Sequence, residues 1–244
     1  PEKYGGIPLS VRELSSLLCK VSSKNPSLGG SIMVPNSLGP AELLEHYGTQ
    51  EQKEHYLPKL ANGEYIPCFG LTGPHNGSDA TGSIDSGTVI FEKEEKYIDL
   101  NINKRYITLG PIANLIGIAF NLQDPYDLLD KGKPGITVAL VEKDHPGLQQ
   151  LTHHNPLNVG FPNGTLKGNL KIPVTSIIGG EKNAGEGWKM LMECLAAGRG
   201  ICLPATAKAS SNTSGRQPSC SDFRTSAMDS LNAAVNCSLI PPLN

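Results

Sequence analysis

None of the six cysteines (Cys19, Cys68, Cys194, Cys202, Cys220 and Cys237) forms a Cys-x-x-Cys pair, which argues against a zinc ribbon or a redox dithiol. Reduced thiols in a cytoplasmic compartment are the plain expectation. No run of Lys and Arg is present, and the net charge is -2. The chain therefore lacks the basic field that gathers nucleic acid or an anionic membrane surface. The longest apolar stretch, around Ile112 to Phe120, is far too short for a transmembrane segment. There is no initiator Met, no signal-peptide pattern and no internal repeat. With 244 residues, 38% hydrophobic and 18% charged, the chain can form one or two domains with real cores.

The order of patterns along the chain predicts an α+β protein. Leu14, Leu17, Leu18 and Val21 recur at three- and four-residue steps and predict one apolar helix face. Ser37 to Tyr47 predicts a second helix, with Leu43, Leu44 and Tyr47 on one side. Thr49-Gln50-Glu51-Gln52 fits a capping box, so a helix is expected to start at Gln50. Asn62-Gly63 should stop it near Leu60. From Tyr65 the pattern becomes that of strands: Tyr65 to Leu71, Tyr97 to Ile102, Arg105 to Thr108, Leu115 to Leu122 and Gly135 to Val141. The helical period returns at Gly187, with Trp188, Leu191, Met192 and Leu195 at i, i+3, i+4 and i+7. From Ser210 the composition is polar and Ser-rich, as in a disordered tail. The expected organisation is a partial α-helical domain over 1–64, a β domain over 65–182, a helix over 183–209 and a divergent tail over 210–244.

Two segments carry the functional signal. One is Leu71-Thr72-Gly73-Pro74-His75-Asn76-Gly77-Ser78-Asp79-Ala80, and the other is Asn103-Lys104-Arg105-Tyr106-Ile107-Thr108. Taken singly, Gly-Ser-Asp is a turn and Tyr-Ile-Thr a strand. Together they resemble the Leu-Thr-(Glu)-Pro-x-x-Gly-Ser-Asp loop and the Lys-x-Trp/Tyr-Ile-Thr strand of acyl-CoA dehydrogenases. The stretch from Tyr47-Gly48-Thr49-Gln50-Glu51-Gln52-Lys53 to Gly63-Glu64 is similar to that family too. Pro35 to Pro40, Asn103 to Leu109, Pro156 to Asn158 and Gly185 to Gly200 are similar to its bacterial long-chain, fatty-acid β-oxidation branch. The likeness runs from about Pro1 to Ala209.

That resemblance implies a helical part, a middle β domain resembling a barrel or sandwich, and the start of a C-terminal helical domain. It implies FAD as cofactor, a fatty acyl-CoA as substrate, an electron-transfer flavoprotein as partner and a homo-oligomer. The implied reaction is α,β-dehydrogenation to a trans-2-enoyl-CoA, with the redox step carried by the flavin and the geometry supplied by protein. By the same resemblance Leu71 and Thr72 hold the isoalloxazine ring. Gly77 lets the loop approach it, Ser78 touches flavin and acyl-CoA, Tyr106 packs on the flavin and Thr108 lies near N5. Phe69 and Ile107 complete the expected cofactor-binding set, and Arg199 is expected at the substrate end.

The sequence also departs from the family pattern. Gly73, His75 and Asn76 replace the usual residues before Gly-Ser-Asp, and Gly73 is expected to loosen the loop. His75 reads as a solvated loop histidine. Gly198 stands where some members carry the catalytic glutamate just before the arginine, and Glu193 cannot face the same point. In the other members, by the same resemblance, the base lies far downstream, beyond this chain's last residue, so no catalytic base is expected here and the enzyme reads as incomplete, lacking most of the C-terminal helices. The alternative expectation is a non-catalytic flavin- or acyl-CoA-binding remnant. His153 and His154 point to opposite faces of a strand, so they are expected to be solvated and to share no metal. Cys194 and Cys202 are expected to be buried small hydrophobes.

Overall fold

The structure, a computed structural model, describes residues 1–77, 79–82, 84–158 and 160–195. Four helices come first. α1 (Val11–Ser22) starts at Ser10, whose hydroxyl accepts from Glu13 N–H while the Glu13 carboxylate takes the Ser10 N–H at 2.8 Å. Leu18 and Cys19 are buried, Leu14 packs against them and Leu17 stands exposed, so the apolar face is narrower than the spacing predicts. The predicted helix over Ser37 to Tyr47 is instead two helices, α2 (Pro26–Leu38) and α3 (Pro40–Tyr47). Gly39 separates them with extended backbone, the conformation forced on a residue that precedes proline, and Pro40 opens the next helix at its first turn.

α4 (Gln50–Ala61) begins and ends as its caps predict. The Gln52 side chain does more than close the capping box. Its Nε2 donates to the carbonyls of Thr175 at 3.0 Å and Ile177 at 2.8 Å, and its Oε1 accepts from Gly179 N–H at 2.9 Å. One side chain thus ties α4 to a segment more than a hundred residues away.

Seven strands form one curled mixed sheet: β1 (Pro67–Gly70), β2 (Ser86–Glu92), β3 (Glu95–Thr108), β4 (Leu115–Gln123), β5 (Gly135–Glu142), β6 (Leu148–His153) and β7 (Asn163–Pro173). The order is β1-β4-β2-β3-β7-β6, with β5 on the other edge of β4. Three of these strands (β2, β6 and β7) fall on stretches in which the sequence pattern predicts none. β7 carries polar residues on its exposed side, and Gly87 and Gly168 interrupt the apolar series on the buried sides of β2 and β7, which blurs the alternation. The two strands predicted at Tyr97 to Ile102 and Arg105 to Thr108 are one continuous strand with a bulge.

β4 and β5 are buried on both faces, which is why Leu115 to Phe120 reads as an unbroken apolar run. Ile116, Ile118, Phe120 and Leu122 point into the interior of the curled sheet with Ile98, Leu100, Ile102 and Leu166. Leu115, Ala119, Val138 and Leu140 face the helical side, against Leu43, Leu44, Leu57 and Phe69. Phe69 packs directly over Gly117, where an added Cβ would lie 2.7 Å from the ring.

A fifth helix, α5, is described over residues 187–195. Its buried stripe is Gly187, Met190, Leu191 and Cys194, with Trp188 partly buried beside it. The period is the predicted one, but the face is rotated by one residue from Trp188. Gly187 sets the phase, because its Cα lies so close to β5 that a Cβ would meet the Ile136 carbonyl at 2.7 Å. The predicted tail over 210–244 and Cys202 lie outside the described residues.

Candidate functional site

β4 carries two partners along a single edge. β1 pairs in parallel with 115–118, and β2 pairs in parallel with 121–123, so the edge is unpaired at Ala119 and Phe120. The chain between those two strands is the 71–85 loop, which contains the first predicted motif. It emerges at the break and is stitched to the part of β3 that runs past the end of β2. Asn103 N–H donates to the Asp85 carboxylate at 3.0 Å, and Arg105 N–H donates to the Thr72 carbonyl at 2.9 Å. Asp85 also gives its own carbonyl to Asn121 N–H at 2.8 Å. The two motifs read from the sequence are therefore joined by direct hydrogen bonds.

Lys104 fills the break. Its side chain is 1% exposed and follows Ile98, Leu100 and Ile102 on the inward side of β3. Nζ donates to the carbonyls of Ala119 at 2.8 Å and Leu71 at 3.2 Å, and lies 3.1 Å from Asp85 Oδ2. Burial pushes the ammonium pKa below its usual value, and the neighbouring Asp85 carboxylate opposes that shift. A two-residue period starting at Ile98 was the signal that could have placed Lys104 inside. A lysine in a strand reads as solvated unless its parity is counted.

After Lys104 the register shifts. Tyr106 adopts φ 59°, and the extra residue resets the alternation, so Ile107 rather than Tyr106 enters the core. Tyr106 is 51% exposed. Its ring lies 4.7 Å from the His154 ring, with the Arg105 guanidinium 4.8 Å above it. His154 is not solvated as predicted: it is half-buried and bonds Thr165 Oγ1 at 2.8 Å. The His153 side chain lies outside the described residues.

The loop itself is clasped rather than loosened. Gly73 N–H donates to Asn76 Oδ1 at 2.5 Å, and the two residues form a β-bridge. A Cβ on Gly73 would lie 2.8 Å from Asn76 Oδ1 and 3.2 Å from the Asn103 carbonyl, so the glycine permits the close approach of loop to β3. Asn76 is 8% exposed, and its Nδ2 is buried with no partner among the described residues. Asn163, opposite Thr108 in the β3–β7 ladder, likewise leaves its buried Oδ1 without a partner. Both orphaned groups flank the predicted cofactor residues, and neither was read from the sequence.

Of those predicted residues, Thr72 and Thr108 are half-buried, and no described residue hydrogen-bonds either hydroxyl. Leu71 is half-buried, with its carbonyl held by Lys104. Gly77 is exposed and faces open space. The Phe69 and Ile107 side chains are both buried in the hydrophobic core, Phe69 toward the helices and Ile107 within the curled sheet. Ser78 and Arg199 lie outside the described residues. His75 is exposed, as predicted. Cys194 is buried, and burial, with Glu42 and Glu193 nearby, raises its thiol pKa to about 12.

A helical layer packs on a curled mixed sheet, with the 71–85 loop pinned to β3, which is the acyl-CoA dehydrogenase fold. Residues 1–64 match the family model described as acyl-CoA dehydrogenase, N-terminal domain. An acyl-CoA dehydrogenase of Bacillus subtilis (strain 168) is 35% identical over 208 residues, covering 84% of this chain and 52% of that protein. Protein HemX of Proteus mirabilis is 51% identical over 89 residues, covering 36% of this chain and 52% of that protein. The crystal structure of an acyl-CoA dehydrogenase complexed with FAD from Bacillus anthracis shares the fold, with TM-score 0.75 and 23% identity, over 89% of this chain and 37% of that one. Over these spans the chain is similar in sequence to acyl-CoA dehydrogenases and has their fold. It spans about half the length of the curated relatives it matches. Among the described residues no helix is long and apolar enough to cross a membrane.

Proposed function

We propose that this chain forms the flavin-binding wall of an FAD-dependent acyl-CoA dehydrogenase acting on a fatty acyl-CoA. The observation that carries the reading is the bond from Arg105 N–H to the Thr72 carbonyl. It locks the first motif against the second and leaves the Thr72 hydroxyl free of described partners. The residues fit such a group. Thr72 and Thr108 offer hydroxyls, Asn76 offers a buried amide donor without a partner among the described residues, and Tyr106 offers an exposed ring face. Leu71, Thr72, Gly77 and Ser78 would then hold the ring on the loop side, and Tyr106 and Thr108 on the strand side, with Phe69 and Ile107 supporting from the core. When bound, FAD supplies the hydride acceptor for the β-hydrogen of the thioester. The chain's own part is orientation: hydroxyl and amide donors fixed before reaction, on strands that exclude water from their core side. The natural electron acceptor in this reading is an electron-transfer flavoprotein, and Arg199 and Ser78 contact substrate.

A second reading, binding of flavin or acyl-CoA without turnover, is favoured by Gly198 at the position before Arg199. Titrating the purified full chain with FAD separates binding from none. Dye reduction with palmitoyl-CoA then separates the two readings. Saturable flavin binding that is weakened by Thr72→Val and Thr108→Val is the expected result. A chain that never takes up FAD would overturn the first reading, and one that also fails to bind palmitoyl-CoA would overturn both.

A further inference from the structure

We infer that Lys104 is a positioning residue: it fixes the orientation of the Leu71–Thr72 peptide and so presents the Thr72 N–H on the outer side of the loop. This rests on the flavin-binding reading above for its functional meaning, but its geometry is independent. In a planar trans peptide the carbonyl of one residue and the N–H of the next point in opposite directions. Lys104 Nζ holds the Leu71 carbonyl at 3.2 Å from the buried side, within the break between β1 and β2. The Thr72 N–H is thereby turned away from the lysine. The following peptide is fixed as well, because Arg105 N–H takes the Thr72 carbonyl at 2.9 Å and Gly73 N–H is turned to Asn76 Oδ1 at 2.5 Å.

Nothing else among the described residues holds the Leu71 carbonyl. β1 ends at Gly70, and its pairing with β4 ends at Ile118. The lysine stands where a strand's hydrogen bonds would otherwise continue. It satisfies the Ala119 carbonyl at 2.8 Å on the β4 side of the break and the Leu71 carbonyl on the loop side. Asp85, 3.1 Å away, balances its charge and is itself anchored by Asn103 N–H at 3.0 Å. A backbone donor fixed in this way stabilises negative charge that develops on a bound group without reorganising during reaction.

The test uses the full chain as wild type, Lys104→Met and the double variant Lys104→Met/Asp85→Asn. The double variant removes both charges, so a loss of folding caused by an unpaired Asp85 is kept separate from the loss of orientation. Three quantities are read: FAD affinity, the midpoint potential of the bound flavin, and amide hydrogen exchange of the flavin-free chain. In the double variant FAD affinity is expected to fall about tenfold, the scale of one lost hydrogen bond. The potential is expected to shift downward, because reduction places charge where the donor pointed. Exchange at Gly73 and Arg105 is expected to accelerate, while amides paired between β4 and β5 keep their protection. A folded double variant with wild-type affinity, potential and exchange would overturn the inference. If the wild type takes no FAD, the functional reading fails and exchange alone decides. Faster exchange at Gly73 and Arg105 upholds Lys104 as the holder of the peptide, and unchanged exchange refutes it.

Discussion

Gly73 and Asn76 close the candidate cofactor loop on itself, backbone N–H to side-chain oxygen, at 2.5 Å. The pair is one unit. The glycine is needed because Asn76 and the Asn103 carbonyl both crowd its Cα, and the asparagine is needed because it takes the glycine's N–H. Gly73→Ala is expected to destabilise the chain by about 1–3 kcal/mol through overpacking. Asn76→Ala is expected to cost about 1 kcal/mol for the lost bond. Urea denaturation of both variants measures this. Two variants as stable as wild type would show that the clasp is incidental.

Gln52 joins α4 to the 175–179 segment by two donated bonds and one accepted bond, besides its capping role. Gln52→Ala is expected to cost about 1–3 kcal/mol, since the carbonyls of Thr175 and Ile177 lose their donor. Gln52→Glu keeps the acceptor for Gly179 and Thr49 but sets a carboxylate against those same two carbonyls. It should therefore be no more stable than Gln52→Ala at neutral pH, although Glu suits a capping box as well as Gln does. A thermal melt in which Gln52→Glu matches wild type would refute the donor role.

The Tyr56 phenol is raised to about 12, first by burial and then by Glu142 and Tyr65; its ring also meets His55 edge-on at 4.7 Å. The unfolded phenol loses its proton near 10 and the folded one later. The folded chain thus holds more protons between those values, and stability falls with rising pH across that window. Below 10 the contribution is fully present. Tyr56→Phe is expected to flatten this part of the stability profile, which equilibrium unfolding at a series of alkaline pH values would record. An unchanged slope would assign the alkaline loss to other groups.

Cys68 sits in the core, and burial raises its thiol to about 12. A thiol so poorly ionised is a weak nucleophile. Alkylation of Cys68 and Cys194 in the native chain is expected to be slower than in urea by orders of magnitude. Mass spectrometry after iodoacetamide treatment reads this directly, and rapid native labelling at either site would contradict the packing.

Removing only the lysine of the buried pair leaves the Asp85 carboxylate without its cation. Lys104→Ala is accordingly expected to lose about 3–5 kcal/mol, the penalty for breaking a buried pair from one side. Asp85→Asn alone should cost less, because the amide keeps an acceptor for Asn103 N–H and Lys104 retains two carbonyls. If the two variants lose equal stability, the asymmetry argued from these contacts is wrong.

Much of the helical frame was legible because its signals are local. Thr49 and Gln52 define the start of α4 within four residues, Asn62-Gly63 ends it, and the apolar run at Leu115 names a strand buried on both faces. α2 was hidden by its Pro and Gly content. The separation of α2 from α3 turned on Gly39 and Pro40, whose effect is also local but was masked by the apolar period across them. β2, β6 and β7 were not legible, because their polar residues and Gly match a loop as well as a strand until a partner strand fixes their register.

The sequence by itself determined the family likeness, the coarse order of helices, then strands, then a helix, and the residues of the two motifs, since these depend on residue identity and short spacing. Only the tertiary structure decided that β1 and β2 share one edge of β4, that a lysine fills the break between them, and that a bulge at Tyr106 turns Ile107 inward. Those facts depend on pairings between residues tens of positions apart. A buried Lys104 is tolerable only where Asp85 and two carbonyls meet it, and no local pattern records that meeting.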